Sequence, residues 1–170
     1  MGWRRSGNAS TMARVTPLGT YLTDHEAGAA SGRALVRRLL RANEKTSYAE
    51  DYRPMVEQID EDAAALHDIR KRLGIGARPW KRLSGPITAV AGRLHGLPGS
   101  YTALHRLREI EALAAGVATK RSLWSSLRAA DLAQLDRTEL DRLIGRADDQ
   151  HATLMRHRDR SAVEAFGAST

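Results

Sequence analysis

YLTDHEAGAASG, residues 21–32, is the stretch whose periodicity decides the fold. At helical spacing Leu22, His25, Ala29 and Gly32 fall on one face. Extending outward adds Leu18 before them and Val36 and Leu39 after, in alternating steps of four and three, the stripe a bundle helix turns toward its neighbours. Thr16-Pro17 supplies a capping hydroxyl and then a proline at the first helical position, where its missing N–H costs nothing. The spacing predicts a helix from there to about Ala42. His25 stands in the stripe where a leucine is expected. Gly28 and Gly32, one turn apart, predict the close approach of a neighbouring backbone, each at a cost of about 1 kcal/mol in helix propensity.

Three further helices follow from the same reasoning. Asn43 to Arg53 is a polar connection, and Pro54 is expected to restart a helix that Gly74 and Gly76 end after Leu73. Its inward face is Val56, Ile59, Ala63, Leu66 and Leu73, flanked by Met55, Asp62 and Ile69. Residues 77–100 form a long connection with its own amphipathic element, Trp80 to Leu94, about 22 Å long as a helix. Ser100 is expected to cap a third helix, Tyr101 to Arg128, with Leu104, Leu107, Ile110, Ala114, Val117, Trp124 and Leu127 facing in and Glu111 beside them. Asp136 with Glu139 forms a capping box, and Leu135 with Leu140 the apolar staple around it. They open a fourth helix to Phe166, with Leu140, Ile144, Ala147, His151 and Leu154 inward and Asp148 and Met155 beside them. Period-two alternation is nowhere found. The fold class is therefore all-α: a four-helix bundle with an additional crossover helix between helices 2 and 3. A crossover that traverses the bundle makes helix 2 parallel to helix 3 and helix 1 parallel to helix 4.

A chain of 170 residues with 42% hydrophobic content suits one domain with a real core. Residues 16–170 are read as that domain. Residues 1–15 are polar and aperiodic and read as a disordered tail, with Met12 as a second candidate start. There is no cysteine, which removes disulfides, thiolate nucleophiles and thiolate metal sites. No apolar run approaches the roughly 18 residues of a membrane span, and Arg4-Arg5 lacks the apolar segment of an export signal. A cytoplasmic location is expected. The formal charge is +7, and only Lys45, Lys71, Lys81 and Lys120 among the cations are lysines.

Collecting the polar residues near the apolar faces yields His25 on helix 1, Asp62 on helix 2, Glu111 on helix 3, and Asp148 with His151 on helix 4. A dimetal carboxylate bundle needs such a layer: one glutamate from each of two helices and a Glu-x-x-His from each of the others, so that both side chains of the pair share a face. Four long helices, a long second connection and the acid-x-x-His pair Asp148/His151 resemble the ferritin-like superfamily over roughly Thr16 to Phe166. DHEAGA in helix 1, EQIDED in helix 2 and RADDQH in helix 4 are distantly similar to the demethoxyubiquinone hydroxylases, di-iron members of that superfamily. The resemblance implies candidate metal ligands at His25, Glu26, Glu111, Asp148 and His151, with iron or manganese as the cofactor of a working site. It also exposes departures. Ile59 and Asp62 occupy the positions of the glutamate and histidine of a Glu-x-x-His pair, which removes one carboxylate and one imidazole.

The expected function is accordingly a non-catalytic, ferritin-like bundle with a degenerate dimetal site and no bound cofactor. It would act by protein association, as a homodimer through an exposed part of helix 1 or with an acidic protein partner. A metal-binding protein or metal-dependent oxidase is the alternative. A basic nucleic-acid binder is a further one, resting on the Arg37/Arg38/Arg41, Arg70/Lys71/Arg72, Arg78/Lys81/Arg82 and Arg156/Arg158/Arg160 clusters. Three of those clusters lie at or near helix C-termini, where the helix dipole favours cations. A membrane-surface role for Trp80 to Leu94 is weighed against packing across the bundle, the simpler fate of its apolar side. His67 and His105 have no companion ligand at metal spacing.

Overall fold

The computed structural model of the chain describes residues 16–76 and 100–167. They form four α-helices, α1 (Pro17–Ala42), α2 (Tyr48–Arg72), α3 (Ala103–Ala130) and α4 (Arg137–Phe166), and no strand occurs among the described residues. The tail 1–15 and the amphipathic element Trp80 to Leu94 lie outside the described residues.

The start of α1 follows the sequence closely. Thr16 accepts a hydrogen bond from the Gly19 backbone N–H at 3.0 Å, with Pro17 opening the helix. α2 departs from it. The helix begins at Tyr48 with Pro54 inside it, although Pro54 can neither donate to the carbonyl one turn back nor avoid crowding it. Burial of Tyr48, Ala49, Tyr52 and Met55 offsets that loss; these side chains make the first two turns part of the core. Gly74, with φ of 66°, ends the helix in the left-handed region as expected. α3 is capped by Thr102 rather than Ser100. The His105 side chain completes the box by accepting from the Thr102 backbone N–H at 3.2 Å. Asp136 caps α4 through the Thr138 N–H at 2.8 Å, but Glu139 does not close the box. Its carboxylate instead accepts from Arg72 on α2 at 2.7 Å. Leu135 and Leu140 are both buried, as the staple requires.

Cross-helix pairs set the directions. Tyr21 near the start of α1 donates to Ser126 near the end of α3, and Asn43 beyond the end of α1 bonds to Tyr101 and Arg106 at the start of α3. Tyr48 at the start of α2 meets Ser161 at the end of α4, and Arg72 at its end meets Glu139 at the start of α4. Hence α1 is antiparallel to α2 and α3, and α4 is antiparallel to both as well. α2 and α3, which face each other diagonally, run the same way. Ile75 packs beside Gly19 at one end, while Tyr101 bonds to Asn43 at the other. Ile75 and Tyr101 therefore lie at opposite ends of the bundle.

The core falls into two clusters, each drawing on all four helices. One gathers Val36, Leu39, Tyr48, Tyr52, Met55, Ile59, Ile110, Leu113, Val117 and Leu154 near the end where α2 starts. The other gathers Leu22, Leu66, Ile69, Leu123, Trp124, Leu127, Leu140 and Leu143 toward the opposite end. Asp62, buried, lies between them along α2, and the buried Gln150 lies on α4 between Ala147 and Leu154 of the first cluster. Leu104, expected inside, is 41% exposed, because the buried stripe of α3 is centred on Leu107, Ile110, Ala114 and Val117. No helix among the described residues is long and apolar enough to cross a membrane.

Candidate functional site

The polar layer is built around Asp62 on the inward face of α2, one turn beyond Ile59 and one turn before Leu66. Its side chain is 3% exposed. A carboxylate this deep needs compensating charge, and two cations supply it. Lys120 Nζ from α3 donates to Oδ2, and Arg146 from α4 closes on Oδ1 as an ion contact without the alignment of a hydrogen bond. Lys120 also donates to Gln150 Oε1 at 2.5 Å, and Gln150 Nε2 donates to Gln58 Oε1 at 3.1 Å. Arg146 also pairs with Glu61. Burial pushes the Lys120 ammonium below the usual lysine range, and Asp62 opposes that shift.

The sequence-predicted ligands are not assembled around this centre. Glu111 is exposed on α3, off the buried stripe that runs through Leu107, Ile110 and Ala114. Asp148 is exposed on α4 and bonds to Arg121 at 2.5 Å. Glu26 pairs with the buried Arg70, whose guanidinium also holds the Gly76 carbonyl at 2.7 Å. His25 is half-buried against Tyr21, ring edge to face at 4.6 Å, and desolvation lowers its pKa from 6.5 while Asp24 opposes the change. His151 is half-buried. Among the described residues no three histidine, aspartate or glutamate side chains are grouped so as to hold a metal ion. The inward placement expected of Glu111 and Asp148 is thus corrected, whereas Asp62 is inside as expected. Of the histidines set aside earlier, His67 is exposed beside Glu26 and His105 serves the α3 cap.

A second polar cluster, at the end where α2 starts, was not legible from spacing. Arg106 on α3 donates to Ser161 at 3.0 Å and to Asn43 at 3.1 Å and pairs with Glu164. The Arg106 and Arg160 guanidiniums each lie 4.3 Å from the Tyr48 ring centroid. His157 Nε2 sits 2.7 Å from Asp51, with its ring against Tyr48 and Tyr52. Nearby, Glu109 is 1% exposed. Its carboxylate meets Arg38 Nε at 2.6 Å and accepts from the Tyr101 hydroxyl at 3.1 Å. Burial raises the Glu109 pKa above 4.5 despite both partners. A Glu at position 109 between Arg108 and Ile110 gave no periodic signal of burial, since the acid is inside only because Arg38 and Tyr101 meet it there.

Several of the arginines weighed above as a nucleic-acid surface are engaged between helices. Arg37 shares Asp60 with Arg33, Arg38 meets Glu109, and Arg72 takes Glu139. Arg70 has been placed on Glu26 already.

Beside the Asp62 layer a groove of about 480 Å³ opens between α1 and α3. His25, Gly28, Ala29, Gly32 and Leu35 line it from α1; Ile59, Ala63 and Leu66 from α2; and Leu113, Gly116, Val117 and Leu123 from α3. Asp62 and Lys120 also reach it, and Arg38 stands toward the Asn43 end. No close neighbour meets Gly32 among the described residues: a Cβ placed there, or on Gly116 across the groove, would have none of their atoms within 4 Å. These glycines leave space. Comparisons with family models, curated proteins and solved structures return no match for this chain.

Proposed function

We propose that this chain is a non-catalytic, ferritin-like bundle that acts by protein association, first of all with a second copy of itself, and that its polar layer is a dimetal site whose charge has passed to protein cations. One observation carries the reading: Lys120 and Arg146 occupy the two carboxylate oxygens of Asp62, where a metal-binding layer would offer them to a cation. Glu111 and Asp148 facing outward support it further. The association surface is the exposed small-residue strip of α1 at Ala30 and Ser31, where two helices can approach without long side chains between them. The cytoplasm is the proposed location.

Two measurements test this reading. Protein prepared without chelator from iron- and manganese-supplemented cells should contain far less than one metal per chain, with no change in His151→Ala. Stoichiometric metal that disappears in that variant would sink the non-catalytic reading. Light scattering after size exclusion should give twice the chain mass of 18.7 kDa, falling to one chain in Ala30→Arg. A monomer at all concentrations would remove the homodimer.

A further inference from the structure

We infer that the groove between α1 and α3 binds a single-chain aliphatic carboxylate, its hydrocarbon lying along Gly28, Gly32 and Gly116 and its head at Arg38. The inference does not rest on the association reading.

The size and lining of the groove fit such a ligand. Its volume of about 480 Å³ lies within the roughly 300–1,000 Å³ of small-molecule sites, which are mostly apolar with a few placed polar groups. It is lined on α3 from Ala112 to Trp124, a rise of about 18 Å, so it is long in one direction. Gly32 and Gly116, which carry no close neighbour among the described residues, keep it open where leucines would close it.

The charges fit as well. Asp62 and Lys120, on the floor, are matched to each other and to Arg146, so the middle of the groove presents no free charge to a chain. The Asn43 end is different. Arg38 lines the groove with a side chain 38% exposed. Only its Nε is committed, to Glu109, and its Nη groups have no hydrogen-bond acceptor among the described residues. Helical register brings two more cations to this end. Arg41 lies two turns beyond the groove-lining Ala34, and Arg108 one turn before Ala112; both are exposed, and neither pairs with an acid among the described residues. A guanidinium fork with its Nη edge open suits a carboxylate. At the opposite end stand His25 and Trp124, without a free cation. The ligand is thus oriented, head to Arg38 and chain end toward Trp124.

The test is calorimetric titration of the full chain with dodecanoate, dodecanol and dodecyltrimethylammonium, each below its micelle concentration. The expected result is one dodecanoate per chain, bound at least about tenfold tighter than the alcohol, with no measurable binding of the ammonium. Gly116→Leu should abolish binding. That variant adds its side chain into open space and removes a helix glycine, so its melting temperature should not fall. Arg41→Gln combined with Arg108→Gln should weaken dodecanoate about tenfold and leave the alcohol unchanged, without touching the Arg38–Glu109 pair. Absence of dodecanoate binding, equal affinity for all three heads, or undiminished binding in Gly116→Leu would each overturn the inference; the last would put the ligand elsewhere on the basic surface.

Discussion

The individual side chain with most at stake is Asp62. Asp62→Asn would leave Lys120 and Arg146 in the layer without their shared anion, and breaking a buried pair from one side costs about 3–5 kcal/mol. We expect a loss at the low end of that range, because Arg146 keeps Glu61; chemical denaturation measures it. Replacing Asp62, Lys120 and Arg146 together by Leu, Met and Met should recover most of the loss, as apolar residues of similar volume often match a buried ion group. His25 makes a prediction of opposite character. Its folded pKa lies below 6.5, so the unfolded chain binds the extra proton first as pH falls. Its contribution is present above 6.5 and is lost as pH drops through the interval down to the lowered folded value. Glu109 runs the other way: its raised pKa makes its contribution full below 4.5 and lost as pH rises toward the folded value. Melting temperatures between pH 5 and 7 should therefore slope less in His25→Phe than in the parent chain. An unchanged slope would show that His25 is not the group responsible.

Among the elements, α2 shows how tertiary packing overrides a local stop signal. Proline reads as a first-turn residue, yet Pro54 is in the seventh position of the helix because Tyr48 and Tyr52 are wanted in the core. Pro54→Ala restores a backbone donor to the Glu50 carbonyl and relieves the ring clash. Against this stands the greater freedom it gives the unfolded chain. A net gain of about 1–2 kcal/mol is expected from urea denaturation. A loss would mean that the helix bends usefully at that point. The cap of α4 is a smaller element-scale test: Asp136→Ala should cost about 1 kcal/mol, and Glu139→Ala should cost mainly through Arg72, because that carboxylate belongs to α2 rather than to the cap.

For the molecule as a whole, the two core clusters determine how it unfolds. Each is built from all four helices, so neither the α1–α2 pair nor the α3–α4 pair can separate without opening both. A single transition is expected, with the same midpoint by helical circular dichroism and by near-ultraviolet aromatic signal. Leu154→Ala in one cluster and Leu140→Ala in the other should each shift both probes together, by about 2–5 kcal/mol. Two separated midpoints would refute the coupling.

By itself the sequence determined the helical class, the proline start of α1, the glycine end of α2, the Asp136 start of α4, and the inward position of Asp62, because each depends on residues within a turn or two of one another. The groove, the exposure of Glu111 and Asp148, and the burial of Glu109 and Arg106 were decided only by tertiary structure. A buried charge is tolerable only opposite its partner, and those partners lie far along the chain: Lys120 and Arg146 for Asp62, Arg38 for Glu109, Glu164 for Arg106. The opening histidine of YLTDHEAGAASG shows the same division. Periodicity placed His25 on the stripe, and the spacing of α1 from α3 made that part of the stripe the wall of a groove.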